Sequence, residues 1–177
     1  MIAPRVEPLK AAELTDKQLG YVRPFIGPKG NVPNIFGTLL RNMQLFEAWA
    51  GFGTYTMSGS RIDKQLREVL VLRTAANLDC EYEWHHHQRI AAAVGLSADV
   101  VERIRTRQPL DCDDQTLMVR CADELAQHAM LSDELWQQIN ARFGLEYTMD
   151  VVFTVGAYTA LAMGLKSCGV QLEGKKE

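Results

Sequence analysis

The sequence feature that most constrains the fold is a long uncharged segment near the carboxyl end, from Val151 to Leu165. Asp150 and Lys166 bound this segment, which is shorter than the ~20 apolar residues that a helix needs to cross a bilayer. A helix that is apolar around its whole circumference is expected to be buried on every side. We therefore predict a fully buried helix from Thr148 to about Ser167, and burial this complete in a small chain favours a contribution from a second subunit.

The remainder of the chain also predicts an all-α fold. Apolar residues recur at helical spacing, for example in the stripe Leu117, Met118, Cys121, Leu125 and Ala129. The alternation of period two that is typical of strands is absent. Prolines and glycines interrupt residues 1–30, which predicts an irregular amino-terminal arm. We expect residues 31–177 to form a single helical domain of about six to eight helices.

Most residues that could carry chemistry are concentrated between Glu68 and His87. The first part of this stretch is apolar and predicts a helix that ends near Asn77. A second helix is expected to begin near Asp79, a plausible N-cap residue. On this second helix the spacing of Cys80, Glu83 and His87 places the three side chains on one face.

Three consecutive histidines occupy the middle of this second helix. Because neighbouring residues on a helix point about 100° apart, His85, His86 and His87 cannot all face one site. Glu83 and His87 are one helical turn apart, so we predict that His87 is the functional histidine and that Glu83 orients it. For His85 and His86, contact with solvent or with an interface is the simpler interpretation.

The spacing Glu68–x11–Cys80–x2–Glu83–x3–His87 resembles the pattern of the carboxymuconolactone decarboxylase family, which includes the AhpD-type alkylhydroperoxidases. In the peroxidase branch a second cysteine occupies the position of Glu83, so the chain is more similar to the decarboxylase-like branch without a C-x-x-C motif. Further similarity lies in Pro33–Phe36, Arg67–Glu68 and Gly95–Leu96. The resemblance implies an AhpD-like helical bundle that is completed by homo-oligomerisation, commonly as a trimer or hexamer.

The resemblance also implies an enzyme, and the residues favour acid–base chemistry without a cofactor. We expect decarboxylation, or a related conversion of a lactone or acid, on a small organic acid. His87 would be the general acid, Glu83 would set its tautomer, and Glu68 would share the proton network. Arg73 or Arg89 is a candidate to bind the substrate carboxylate.

Two other functions are compatible with the sequence. One is a peroxidase-type activity through Cys80, which lies at a helix amino terminus where thiols are more acidic. The other is a non-catalytic helical module that binds a small ligand or a partner. A metal site is not expected, because Glu83–x–x–His86 matches one unit of a di-iron bundle but no second unit accompanies it.

Composition and charge restrict partners and location. The net charge is −3, and no basic run predicts nucleic-acid binding. The amino terminus has no apolar region typical of a secretory signal. The four cysteines form no zinc-binding or C-x-x-C spacing, which favours a reducing compartment. We therefore expect a cytoplasmic protein with a small-molecule substrate and no membrane or nucleic-acid partner.

Overall fold

The computed structural model describes residues 3–174, and within this range the regular structure is entirely helical. The all-α prediction is thus confirmed, although this range contains nine α-helices where about six to eight were expected. The described α-helices are α1 (Asp16–Val22), α2 (Asn34–Leu39), α3 (Met43–Thr54), α4 (Lys64–Asn77), α5 (Glu81–Ala93), α6 (Ala98–Thr106), α7 (Asp113–His128), α8 (Asp133–Phe143) and α9 (Leu145–Cys168). Short 3₁₀ helices cover Ala11–Glu13 and Arg23–Phe25, and a π-helical turn covers Tyr55–Gly59.

The described part of the chain divides into two compact units, one formed by residues 3–53 and 163–174 and the other by residues 54–162. The first unit has a small core of Val22, Val32, Leu40 and Phe46. Its two chain segments are joined by hydrogen bonds, since the backbone N–H of Arg5 donates to the Cys168 carbonyl at 2.9 Å. The predicted boundary after residue 30 stays a prediction.

Helix α4 is the centre of the second unit. Its residues from Arg67 to Ala75 are all buried, because α5, α6 and α7 pack around it. The Asp63 side chain caps its amino terminus by accepting from the N–H groups of Gln65 and Leu66. A helix enclosed in this way places any polar side chain that it carries in the protein interior.

Helix α5 begins one residue later than the sequence predicted. Its N-cap is Cys80, whose backbone N–H donates to the Ala75 carbonyl at 2.9 Å. Asp79, the predicted N-cap, has a φ of 48° and belongs to the turn. Aspartate tolerates this left-handed conformation better than most residues do, which explains its position here. The short turn brings the first residues of α5 close to the end of α4.

Helix α9 differs from the prediction in its exposure. It has one face in the core of the second unit, where Val151 and Val155 are buried. Met149 and Phe153 are 46% and 54% exposed, so the expectation of burial on every side is wrong for the single chain. By length and composition alone α9 is long and apolar enough to cross a membrane. Of its most apolar stretch of 18 residues, 33% is buried inside the protein. The absence of a membrane partner stays a prediction.

Candidate active site

The centre of the candidate site is the carboxylate of Glu68, which is fully buried on α4. Its Oε1 atom accepts from Nε of Arg67 at 3.0 Å and lies 3.0 Å from Nη2 of the same guanidinium. Its Oε2 atom lies 2.7 Å from Nδ1 of His87. Buried charges are stable only when they are paired and hydrogen-bonded, and both oxygens of Glu68 meet this condition.

His87 extends from α5 toward this carboxylate and is 8% exposed. Because Nδ1 faces Glu68, it carries the hydrogen that the carboxylate accepts, and Nε2 is left for chemistry. The ring of Tyr158, on α9, packs edge-on against the imidazole with centroids 5.0 Å apart. The carboxylate fixes one side of the imidazole and the phenol ring restricts its rotation, so the ring is held in one orientation.

The π-helical turn supplies a further link in this arrangement through Met57. The Met57 carbonyl accepts a short hydrogen bond from Nη1 of Arg67, and its sulfur accepts from the Tyr158 hydroxyl at 2.8 Å. Met57, Arg67, Glu68, His87 and Tyr158 therefore form a closed ring of contacts. Burial raises the pKa of Tyr158, so its hydroxyl stays protonated and continues to donate.

Sequence reasoning found Glu68 and His87 but missed Met57 and Tyr158. Tyr158 lies in the uncharged segment that was interpreted only as core, and Met57 lies at a helix end without a recognisable motif. Local spacing contains no signal for either residue, because their contacts join positions that are far apart in the chain. A π-helical turn, which often occurs at functional sites, is the structural feature that identifies Met57.

Glu83 does not have the role that the sequence predicted. The predicted orientation of His87 by Glu83 is wrong, since Nδ1 of His87 is bonded to Glu68 instead. Glu83 is only 3% exposed, and burial raises the pKa of its carboxyl to about 8, while a hydrogen bond from the Cys80 side chain partly offsets this rise. Apart from that thiol, neither carboxyl oxygen has a hydrogen-bond partner among residues 3–174. Glu83 is therefore a buried acid that is largely neutral at pH 7.

Cys80, 2% exposed, lines a cavity of about 170 Å³ at the junction of α4, α5 and α6. The other lining residues are Ala75, Ala76, Asp79, Glu81, Trp84 and Arg105. The Arg105 guanidinium lies 4.9 Å from the Trp84 ring and donates to Glu81 at 2.7 Å. A larger and more open groove of about 520 Å³ between α7 and α8 contains none of the predicted site residues.

The remaining candidates lie outside the ring of contacts. His85 and His86 are half-buried, and His86 packs on Tyr82 with ring centroids 4.5 Å apart. Arg73 is committed to a two-pronged ion pair with Asp123, so its predicted role as a substrate ligand is wrong. Arg89 is exposed. Within the described residues no three His, Cys, Asp or Glu side chains are close enough together to hold a metal ion.

Comparison with known proteins agrees with the family that the motif predicted. Residues 44–118 match the sequence model of the "Carboxymuconolactone decarboxylase family". No curated protein matches the chain in sequence.

Solved structures show the same fold over nearly the whole chain. A peroxidase-related protein described as an alkylhydroperoxidase AhpD core, from Ralstonia eutropha JMP134, has a TM-score of 0.84 at 16% identity and covers 98% of this chain and 94% of its own. A peroxidase-related protein from Silicibacter sp. TM1040 has a TM-score of 0.79 at 17% identity, with 98% and 91% covered.

A third similar structure is that of a debrominase, Bmp8, in a cysteine-to-alanine variant bound to 2,3,4-tribromopyrrole. Its TM-score is 0.76 at 16% identity, and the alignment covers 96% of this chain and 91% of that one. At such low identity these structures establish the fold and leave the reaction open. Residues 44–118 are thus similar to the carboxymuconolactone decarboxylase family, and the chain has the AhpD-like helical fold.

Proposed function

We propose that the protein is a cofactor-free acid–base enzyme that acts on a small organic acid, by decarboxylation of the carboxymuconolactone type or a related conversion of a lactone or acid. The observation that supports this most directly is the buried contact of 2.7 Å between Nδ1 of His87 and Oε2 of Glu68. A histidine oriented by a buried carboxylate is an efficient group for transferring a proton from its other nitrogen.

The proposed reaction begins with loss of CO₂ from a carboxylate that is vinylogous to a carbonyl group. The electron pair left behind forms a dienolate, whose negative charge the site must stabilise before a proton returns to carbon. His87, protonated on both nitrogens, donates that proton from Nε2. Glu68 keeps the Nδ1 hydrogen directed toward itself, so the ring does not rotate during the transfer.

Arg67 gives the site a favourable charge for this reaction. Its guanidinium balances Glu68, so the protonated His87 adds a net positive charge to a mostly dry interior. A positive charge in low dielectric attracts an anionic acid and stabilises a dienolate more strongly than it would in water. Arg67 acts through Glu68 and is therefore a positioning residue.

The test is turnover of muconolactone-type carboxylic acids, followed as CO₂ release and as product by mass spectrometry. His87→Gln should lower kcat by roughly 100-fold or more, which is the usual contribution of a general acid. His128→Gln is the matched control, since His128 is exposed at the end of α7 and should leave turnover unchanged. Full activity in the His87 variant would remove this residue from the mechanism. Binding of the acid without any turnover would indicate a helical binding module instead.

Peroxidase-type oxidoreductase chemistry at Cys80 is a second candidate function. The observation in its favour is the cavity that Cys80 lines. Neither Glu68 nor His87 lines this cavity. Consumption of hydroperoxide that Cys80→Ser removes would support it. Halogenated pyrroles belong in the same assay, because a structurally similar protein is a debrominase bound to such a compound.

We also propose that the protein is a homo-oligomer, trimeric or hexameric, in which a second copy covers the exposed face of α9. The exposed residues Met149, Phe153, Gly156 and Ala160 lie four, three and four positions apart, which aligns them along one side of the helix. This spacing is the one by which α-helices pack against each other. Phe153→Glu should reduce the mass measured by light scattering at micromolar concentration, and a wild-type protein that is already monomeric would refute the proposal.

A further inference from the structure

Two buried polar groups near the candidate site have no partner within the part of the chain that the structure describes. No N–H or O–H group of residues 3–174 bonds to either oxygen of Glu83, which is 3% exposed. The hydroxyl of Thr154, which is 1% exposed, is unpaired within the same range. Buried polar groups are nearly always hydrogen-bonded, so these two groups require an explanation.

The positions of these groups along their helices place them beside the imidazole. Glu83 is four residues before His87 on α5, and Thr154 is four residues before Tyr158 on α9. Side chains at this spacing share one face of a helix. Because the rings of His87 and Tyr158 are in contact, the two faces meet here. Two unpaired polar groups beside one imidazole indicate that a polar ligand completes the site.

The Glu83 carboxyl lies near the phenol of Tyr158. Burial is the main cause of the raised pKa of Tyr158, and the carboxyl groups of Glu68 and Glu83 add to it. The oxygens of Glu68 are already occupied, because they bond to Arg67 and His87. Glu83 is therefore the acid of this cluster that is available to a ligand.

Protonation determines what Glu83 offers to that ligand. Burial raises the pKa of its carboxyl to about 8, so at pH 7 most of the molecules carry a neutral acid with an O–H to donate. An ionised carboxylate would repel an anionic substrate. A neutral one does not, and its hydrogen bond is strengthened by the low dielectric of the interior.

We propose that Glu83 is a second catalytic residue, whose O–H donates a hydrogen bond to the substrate oxygen on which negative charge develops. This inference rests on the proposed acid–base function. As CO₂ leaves, the electron pair of the broken C–C bond moves through the conjugated system to the carbonyl oxygen. Glu83 bonds to this oxygen and keeps its proton. The proton on Nε2 of His87 passes to carbon, the carbonyl group re-forms, and solvent reprotonates the imidazole.

The choice of the carbonyl oxygen, and not the departing carboxylate, follows from when each group is charged. A hydrogen bond to the carboxylate is lost as CO₂ leaves, so it would stabilise the substrate more than the transition state. A hydrogen bond to the carbonyl oxygen becomes stronger as charge accumulates there. Glu83 therefore favours acids with a conjugated ketone or lactone carbonyl over simple carboxylic acids.

The first experiment measures turnover of muconolactone-type acids by two variants at one position. Glu83→Leu removes the donor and should lower kcat by roughly 100-fold, the usual loss for one donor to a developing oxyanion. Glu83→Gln keeps an N–H donor without an acidic proton and should retain most of the rate. Tyr147→Phe is the matched control, because it removes an unpaired buried hydroxyl about three turns before Tyr158 on α9 and should have no effect.

The second experiment measures ligand binding without turnover. The probe is 4-nitrophenol, whose ionised oxygen is conjugated like that of a dienolate and whose absorbance reports its ionisation. Wild-type protein should bind the ionised form. Glu83→Leu should bind it roughly tenfold or more weakly, as expected for loss of a hydrogen bond to a charged group, and Glu83→Gln should bind it nearly as well as the wild type.

The outcomes separate this inference from the proposed function. A Glu83→Leu variant equal to the wild type in both experiments, or a Glu83→Gln variant as impaired as Glu83→Leu, would overturn the role of Glu83. Turnover that is lost in His87→Gln and kept in Glu83→Leu would overturn this inference alone. Binding of 4-nitrophenol that depends on Glu83, without turnover of any acid, would refute the proposed function and retain the oxyanion site. A wild type that neither turns over an acid nor binds the probe would refute both.

Discussion

Two carboxylates of the second unit are almost equally buried, but they have opposite surroundings. Glu68 is 0% exposed and is bonded to Arg67 and His87, whereas Glu83 is 3% exposed and meets only a thiol. Burial disfavours the charged form of a carboxyl group, and the pKa of Glu83, which forms no salt bridge with the described residues, is raised to about 8. Two acids at nearly the same depth therefore differ in their partners, because one contacts an arginine and a histidine and the other has no ionic partner.

The prediction with the largest expected effect on stability concerns the same substitution, glutamate to glutamine, at both positions. Glu68→Gln leaves the buried Arg67 guanidinium without its ionic partner, and breaking a buried pair typically costs about 3–5 kcal/mol. Glu83→Gln at pH 6 replaces a neutral acid by a neutral amide of similar shape and should cost less than about 1 kcal/mol. Urea unfolding of the two variants and the wild type at pH 6 measures both values. Equal losses of unfolding free energy in the two variants would show that the ion pair of Glu68 does not make its substitution more costly than that of Glu83.

A second prediction uses pH in place of the Glu68 substitution. The folded-state pKa of Glu83 is about 8, above the ordinary value of 4.5, so the folded protein binds this proton more tightly than the unfolded chain does. The stability gained from it is complete below pH 4.5 and is lost as pH rises through 8, by at most about 1.4 kcal/mol per pH unit.

Denaturant titrations between pH 5 and 9 test this dependence. Glu83→Gln should flatten the fall in unfolding free energy and become more stable than the wild type near pH 9. Glu102→Gln is the control, because Glu102 is exposed on α6 and its substitution should leave the curve unchanged. A Glu83 variant with the same slope as the wild type would mean that another group titrates.

Much of the fold was predictable from local sequence patterns. Helical periodicity predicted the all-α fold, and the N-caps that the structure shows at Asp63 and Ser132 bond only to N–H groups within three residues, so capping of this kind is a property of the local sequence. The segment Glu68–His87 was predicted to carry the chemistry for a similar reason, since helical spacing places Cys80, Glu83 and His87 on one face, and its catalytic role stays a prediction.

The partner of His87 could not be predicted in the same way. Sequence spacing favoured Glu83, one turn away on α5, but the packing of α5 against α4 brings Glu68 to the imidazole instead. A contact between residues 19 positions apart depends on how two helices cross, and period and capping contain no information about that crossing. Tyr158 and Met57 were missed for the same physical reason. The exposed face of α9 was missed because an apolar pattern does not show which side lacks a neighbour.

The prediction with the smallest expected effect compares two buried tyrosines, one with a hydrogen-bond partner and one without. The Tyr158 hydroxyl donates to the Met57 sulfur, whereas the Tyr147 hydroxyl has no hydrogen-bond partner among the described residues. Tyr158→Phe should therefore cost roughly 0.5–1 kcal/mol, while Tyr147→Phe should be neutral or stabilising because it removes an unpaired polar group. Both variants keep their rings, so packing on His87 and on Phe143 is retained. Thermal and urea unfolding of the two variants gives the difference. If Tyr147→Phe lost more unfolding free energy than Tyr158→Phe, the Tyr147 hydroxyl would have a hydrogen-bond partner. Hydrogen bonding would then not distinguish the two phenols in the way that ion pairing distinguishes the two acids.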